Sequence, residues 1–308
     1  MLSTFLKYWV RLALPFFAKS IRFQGKEQLA QKGPLILAVN HPNSFLDAVL
    51  MGAFMHQHVH YLARGDVFRI GWVRKLFTQM KMLPIYRMRD GKNMLGLNDQ
   101  TFERSREVLE RNGILLVFVE GFCEHQTTLQ LPLKKGAPRV IEDCWRKGIP
   151  VRILPVWLQY SSFTDYPKAI EIRMGPIVEK PTDITNAEPS IIWQKINDAT
   201  ADSLKALENQ VVKTKPKQSE IARTLLFLPA MLGAVLHAPL YLPVKAAIKK
   251  ATRDNVHFDS ILLGAFLVAY PIYLLILAFV FFAYLGWWGF FLPLLVLPIV
   301  ARCYVLWK

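Results

Sequence analysis

The sequence predicts an α/β protein: a largely parallel sheet flanked by helices, with an N-terminal interfacial helix and a C-terminal transmembrane helical hairpin. Three observations carry this. Between residues 25 and 212, short apolar runs alternate with helical patterns, the signature of strand–helix–strand units in a parallel sheet. From Ile261 to Ala301 there is no Asp, Glu, Lys or Arg in 41 residues, a length that suits two membrane passes. The first 24 residues carry an apolar stripe on a basic helical pattern.

Charge and hydropathy fit this division. The 308 residues have a net charge of +15 with 53% hydrophobic residues and a mean hydropathy of +0.23. Of the 38 basic side chains only Arg302 and Lys308 lie beyond residue 260, and all 23 acidic ones precede it. A basic body with an apolar tail excludes a disordered chain, a secreted disulfide scaffold and an ordinary soluble globule. Cys123, Cys144 and Cys303 are scattered with no CxxC, so reduced thiols in a cytosol-facing body are expected.

In chain order, residues 1–24 come first. Leu2, Phe5, Trp9, Leu12 and Phe16 form one stripe, with Lys7, Arg11, Leu14 and Ala18 opposite. The pattern suits a helix in a membrane interface, its basic residues meeting anionic headgroups; a helix packed on its own domain has the same pattern. Pro15 marks the last turn as a place for a kink or stop. Lys7 and Arg11 interrupt any signal-peptide core, and no small-x-small cleavage site follows.

Residues 25–212 form the expected α/β domain. Strands are expected at 34–39, 59–63, 82–86, 114–119, 151–159 and 169–174. Helices are expected from the end of the first strand to about 54, then at 67–80, 93–111, 137–146 and 188–211. The run KTKPKQS lies in a polar linker, 213–222. The membrane region, 223–308, begins with an apolar segment at 223–244 interrupted by Pro229, Pro239 and Pro243. If it spanned, Lys245, Lys249, Lys250 and Arg253 would lie across the membrane from the basic body, against the positive-inside tendency. A re-entrant or interfacial segment is therefore expected. Residues 261–283 and 290–306 are expected to form the hairpin, turned by Gly286-Trp287-Trp288-Gly289 and anchored by Arg302, Trp307 and Lys308. This geometry puts the body on the cytoplasmic side.

In such sheets, sites gather at the carboxyl ends of strands. After the first strand comes AVNHPNSFLDAVL, with His41 at the strand end and Asp47 inside the next helix. An imidazole backed by a carboxylate can take a proton from a hydroxyl; a surface His near a helix N-terminal Asp has the same spacing. After the third strand, KMLPIYRMRDGKN offers Arg87, with Arg89 and Lys92. A guanidinium fixed there suits bidentate grip on a phosphate, and a solvated basic loop is the plainer alternative. After the fourth, LLVFVEGFCEHQTTLQLPLKKGAPR carries Glu120 and Gly121, then Lys134, Lys135 and Arg139 around a helix start, an anion-friendly place. IPVRILPVWL is apolar and is assigned packing only.

These four segments resemble, in order, the four motifs of the glycerolipid acyltransferases, the glycerol-3-phosphate and lysophosphatidic acid acyltransferase family. His41 and Asp47 match its His–Asp motif, with five residues between them where the family has four. Ile85, Tyr86 and Arg87 match the second, with Lys81 and Pro84 in place of Gly and Phe. Phe118, Glu120 and Gly121 match the third, with Val119 for Pro, and Phe122-Cys123-Glu124 replaces the usual Thr-Arg-Ser. IPVRILPVWL matches the fourth through Pro155. The resemblance spans about residues 33–160. It implies a membrane-bound O-acyltransferase in phospholipid biosynthesis, moving a fatty acyl group from acyl-CoA or acyl carrier protein to a hydroxyl of glycerol 3-phosphate or lysophosphatidic acid. His41 is then the general base and Asp47 its orienting partner. Arg87, Glu120, Gly121, Lys135 and Arg139 are substrate-binding, membrane lipid is the setting, and no cofactor is needed beyond the acyl thioester. The altered acceptor motif keeps open another lysolipid, such as a lyso-amino-acid lipid. A non-catalytic lipid-binding protein of the same fold is the alternative outside enzymes.

Other signals are set aside. His56, His58 and His60 alternate, but i, i+2 imidazoles without a Cys or Asp cluster seldom close a tetrahedral site, so no metal is assigned. Cys123 as an acyl-carrying nucleophile conflicts with direct transfer in the resembled family. Basicity is assigned to anionic lipid, not to nucleic acid.

Overall fold

A computed structural model of the chain describes residues 2–86, 96–181, 187–210, 219–253 and 255–308. Its centre is a seven-stranded sheet in the order β1-β7-β6-β2-β5-β3-β4. The strands are β1 (Ala18–Gln24), β2 (Leu35–Val39), β3 (Val59–Arg64), β4 (Met82–Ile85), β5 (Ile114–Phe118), β6 (Arg152–Tyr160) and β7 (Lys168–Met174). All neighbours are parallel except β6 and β7, which are antiparallel. The body helices are α1 (Leu2–Phe17), α2 (Phe45–Phe54), α3 (Gly71–Gln79), α4 (Leu97–Glu110), α5 (Gly136–Arg146) and α6 (Pro189–Glu208).

β2 shows why its run is apolar throughout. Leu35, Leu37 and Val39 face a core shared with α1 and α2, whereas Ile36 and Ala38 face a second core with α4, α5 and α6. A central strand covered on both faces has no polar side to show. Its carboxyl end, flanked by β5 and β6, delivers His41 and the turn into α2.

The N-terminal reading needs correction. The helix ends at Phe17, and Ala18–Gln24 continue as an edge strand on β7, with Ile21 opposite Ile170 and Phe23 opposite Ile172. An edge strand depends on a partner 150 residues away, which helical periodicity cannot register. The basic side of α1 also differs from expectation. The guanidinium of Arg11 donates to the carbonyls of Ala53 and Phe54, and the ammonium of Lys7 donates to those of Met55 and His56. The first two are unpaired last carbonyls of α2, and the Met55 and His56 carbonyls follow directly at its C-terminal end, where cations are favoured. So Lys7 and Arg11 hold the protein together, while Phe5, Tyr8 and Leu12 are exposed on the outer side.

In the C-terminal region, α7 (Glu220–Thr252) is one continuous helix through Pro229, Pro239 and Pro243. Its N-terminus is capped by Ser219, whose hydroxyl accepts from Ala222 N at 3.2 Å. Around Pro239, Tyr273 donates to the Leu236 carbonyl at 2.7 Å and His237 packs against Tyr270. The following helix, α8 (Phe258–Trp307), reverses at Gly286, whose φ of 61° and ψ of −148° only glycine adopts readily. Its two arms meet beyond this turn, Phe279 against Phe290 and Phe282 against Trp287. Helix α7 meets Phe266, Tyr270 and Tyr273 on the first arm and Trp307 on the second. It meets the half of the hairpin nearest the body, since Phe258 and Leu262 sit in the body's core.

Arg11→Ala removes the cation from the carbonyl end of α2. We expect a loss of about 1–2 kcal/mol, measured as a lower midpoint of thermal unfolding in detergent, with the same secondary structure before melting.

Candidate active site

β2 ends at Val39, and the next residue sets up the cleft. Asn40 is fully buried and bridges to β6, donating to the Leu158 carbonyl at 3.0 Å and accepting from Leu158 N at 2.7 Å. It replaces backbone pairing just where β2 must turn away. His41 follows. Its backbone N–H donates to Glu120 Oε2 at 2.8 Å, and its ring stacks on Phe118 with centroids 3.6 Å apart and planes within 8°. The imidazole is thus fixed against the end of β5.

Asp47 lies in the first turn of α2 with no solvent exposure. Its Oδ2 lies 2.9 Å from His41 Nδ1 and accepts from Asn43 N at 2.8 Å, and its Oδ1 accepts from the Tyr160 hydroxyl at 2.6 Å. An ionised carboxylate only accepts, so the imidazole proton sits on Nδ1 and Nε2 keeps its lone pair. The His41 side chain is 17% exposed, so the imidazole is reachable from solvent at the carboxyl end of β2. Burial raises the ionisation of the Tyr160 hydroxyl well above its ordinary range, and Asp47 adds to this. That phenol is a permanent donor.

The longer His–Asp spacing is absorbed in the turn. Ser44 has φ 53° and ψ −137°, a conformation rare for residues with a side chain. The residue before it, Asn43, points its backbone N–H back at Asp47. The extra residue is taken up before α2 begins, so the carboxylate still reaches the ring.

Glu120 is fully buried. Its two oxygens accept from the backbone of His41 and, at 2.9 Å, of Gln130. Burial is the main force raising its pKa, partly offset by these two donors. It braces the backbone of His41. Gly121 has φ +71°, and a Cβ there would lie 2.5 Å from Lys134 Cγ. Lys135 is solvent-facing at the start of α5. Arg139 is engaged on the α4–α6 side, its guanidinium 4.7 Å from the Phe102 ring and 3.8 Å from Asp99. Arg87, with Arg89 and Lys92, lies outside the described residues. Cys123 Sγ accepts from Ser44 N at 2.9 Å, and burial, then Asp47, push its thiol up to about 12. The raised value favours the protonated thiol, which braces Ser44. Among the described residues no group of three or more His, Cys, Asp or Glu could hold a metal.

Sequence reasoning missed four participants. Asn40 and Asn43 are polar residues inside an apolar run, a signal present in NHPN. Tyr160 lies just past the segment assigned to packing. Asp259, hydrogen-bonded to Asn43 Nδ2 at 2.7 Å, arrives from α8 and had no sequence signal at this site.

Residues 20–159 match the family model described as Acyltransferase. That span holds the His41–Asp47 pair, Glu120 and Gly121, and it is an acyltransferase domain. No curated protein matches the chain. Among solved structures, the 1-acyl-sn-glycerophosphate (LPA) acyltransferase PlsC from Thermotoga maritima is similar at TM-score 0.47 and 14% identity, over 68% of this chain and 81% of that one.

Two outcomes check this geometry. Gly121→Ala forces a side chain into a left-handed turn, for about 1–2 kcal/mol of lost stability in a thermal melt. The native Cys123 thiol is expected to stay unmodified by iodoacetamide at neutral pH, as read by mass spectrometry of the folded protein.

Proposed function

We propose that this acyltransferase transfers a fatty acyl group from a thioester, acyl-CoA or acyl carrier protein, to a free hydroxyl of glycerol 3-phosphate or lysophosphatidic acid. The observation that carries the reading is the His41–Asp47 pair, with Nδ1 tied to the carboxylate and Nε2 open at the carboxyl end of β2. The acceptor oxygen attacks the thioester carbonyl as its proton passes to Nε2. The carbonyl collapses, the C–S bond breaks, and the thiolate takes the proton from the imidazolium. Nothing is left bound to the enzyme. Asp47 stabilises the imidazolium and keeps the ring in register. Since the thiolate leaves readily, the main demand on the protein is positioning. Arg87 holds the acceptor phosphate in this reading, with Lys135 at the start of α5 as a further anion contact.

The setting is a lipid surface. Two helices are long and apolar enough to cross a membrane, Glu220–Thr252 and Phe258–Trp307. The outward apolar side of α1 and the exposed Trp287 and Trp288 at the turn of α8 suit lipid contact. An apolar cavity of about 510 Å³ opens between α1, α7 and both arms of α8, lined by Trp9, Phe16, Tyr241 and Tyr270 among others. In this arrangement the hairpin crosses the bilayer, α7 lies across its base, and the body faces the cytoplasm. Lys245, Lys249 and Lys250, on the last turns of α7, are then near anionic headgroups on that side.

The test is an acceptor panel with purified full-length protein in detergent, using acyl-CoA and acyl carrier protein in parallel. Glycerol 3-phosphate, lysophosphatidic acid and a lyso-amino-acid lipid separate the acceptor classes. His41→Ala is expected to abolish transfer and Asp47→Asn to reduce it by on the order of 100-fold or more, both with the fold intact. Full turnover in folded His41→Ala would remove the base mechanism.

A further inference from the structure

The first turn of α8 does more than start a membrane hairpin. It enters the turn that separates His41 from Asp47 and contacts Asn43, Ser44 and Leu46 there. Asp259 Oδ2 accepts from Asn43 Nδ2 at 2.7 Å. His257 Nδ1 lies 2.6 Å from Ser44 Oγ. Ser260 Oγ accepts from Leu46 N at 2.9 Å and donates to the Asn43 carbonyl at 3.3 Å. Asp259 also forms a buried ion pair with Lys168, the first residue of β7. Asn43, Asp259 and Lys168 are all buried.

We propose that the C-terminal hairpin is part of the catalytic apparatus, with Asp259 as a positioning residue that holds Asn43 and so sets Asp47 against His41. The link is short. Asn43 uses its side chain to reach Asp259 and its backbone N–H to reach Asp47. Ser44, the next residue, keeps a positive φ, and such a conformation persists only where its surroundings over-determine it. Here they do: Cys123 takes its N–H, His257 its hydroxyl, and Ser260 ties down the first helical turn beyond it. The Lys168–Asp259 pair explains why a carboxylate is used. A buried charge must be matched by another with good geometry, and Lys168 fixes Asp259 to the sheet through the same Oδ2 that accepts from Asn43. Removal of Asp259 would leave Lys168 unmatched and the turn free to relax. Displacement of a catalytic pair by about 1 Å lowers turnover on the order of 100-fold.

The inference rests on the His41–Asp47 reading above, and the test separates the two. Full-length protein in detergent, labelled with ¹⁵N histidine, is expected to show a downfield Nδ1 proton from the His41–Asp47 bond, assigned by its absence in His41→Ala. In Asp259→Ala that signal is expected to broaden or vanish, and kcat to fall by about 10- to 100-fold with KM for the acyl thioester within about twofold. Lys168→Met/Asp259→Asn removes both charges and keeps an oxygen for Asn43, so signal and most of kcat are expected to return. A merely structural Asp259 would lower the melting midpoint without moving the imidazole signal or kcat. Should Asp259→Ala fail to fold, Ser260→Ala carries the same readouts at smaller amplitude. Wild-type kcat with an unchanged imidazole signal in folded Asp259→Ala, or in Ser260→Ala if that must stand in, overturns the proposal. Turnover retained by His41→Ala overturns the base mechanism alone, since the proton signal still reports the geometry.

Discussion

A single buried carboxylate organises this protein. Asp47 is shut off from solvent, and a charge in that position is tolerable only if donors converge on it from every side. They do so from three elements: the imidazole of His41 at the end of β2, the backbone of Asn43 in the turn, and Tyr160 at the end of β6. Each donor needs a brace of its own. Glu120 and Phe118 fix His41 from β5, Asn40 sets the spacing of β2 and β6, and Asp259 fixes Asn43 from α8. The arrangement therefore draws on the two central strand ends beside β2 and on the apolar C-terminal hairpin at once.

The basic residues divide by location into distinct tasks. On α1, Lys7 and Arg11 close the carbonyl end of α2, so the helix that presents Phe5 and Leu12 outward is bonded to the helix that carries Asp47. Arg302 on the returning arm donates to the carbonyls of Pro15 and Ala18, where α1 passes into β1. Trp9 donates to the Leu267 carbonyl at 3.1 Å. The C-terminal hairpin and the α/β body are thus joined by polar contacts at the middle and the C-terminal end of α1.

Much of this was legible residue by residue. Six of the seven strands follow from apolar runs bounded by turn residues, because a sheet covered on both faces requires such runs. His41, Asp47, Glu120 and Gly121 come together at neighbouring strand ends, as parallel topology demands of loops that follow β2 and β5. Other readings stopped at the limits of local pattern. AKSIRFQ continues a helical period and becomes a strand only because β7 has a free edge. Three prolines suggested a broken segment, yet α7 runs through them, since packing on both arms of α8 outweighs three missing N–H donors.

What the sequence determined by itself was the set of elements and the chemistry on offer: alternating strands and helices, a charge-free tail with its turn at Gly286, and a histidine and carboxylate placed to meet. Those follow from periodicity and spacing, which are properties of neighbours along the chain. What only the tertiary structure decided was how the pair is held. The extra residue between His41 and Asp47 is harmless because Ser44 takes a left-handed turn, and that turn is gripped by His257, Asp259 and Ser260 from more than 200 residues away. A contact of that kind has no periodicity, because it depends on where two distant segments of the chain come to rest against each other.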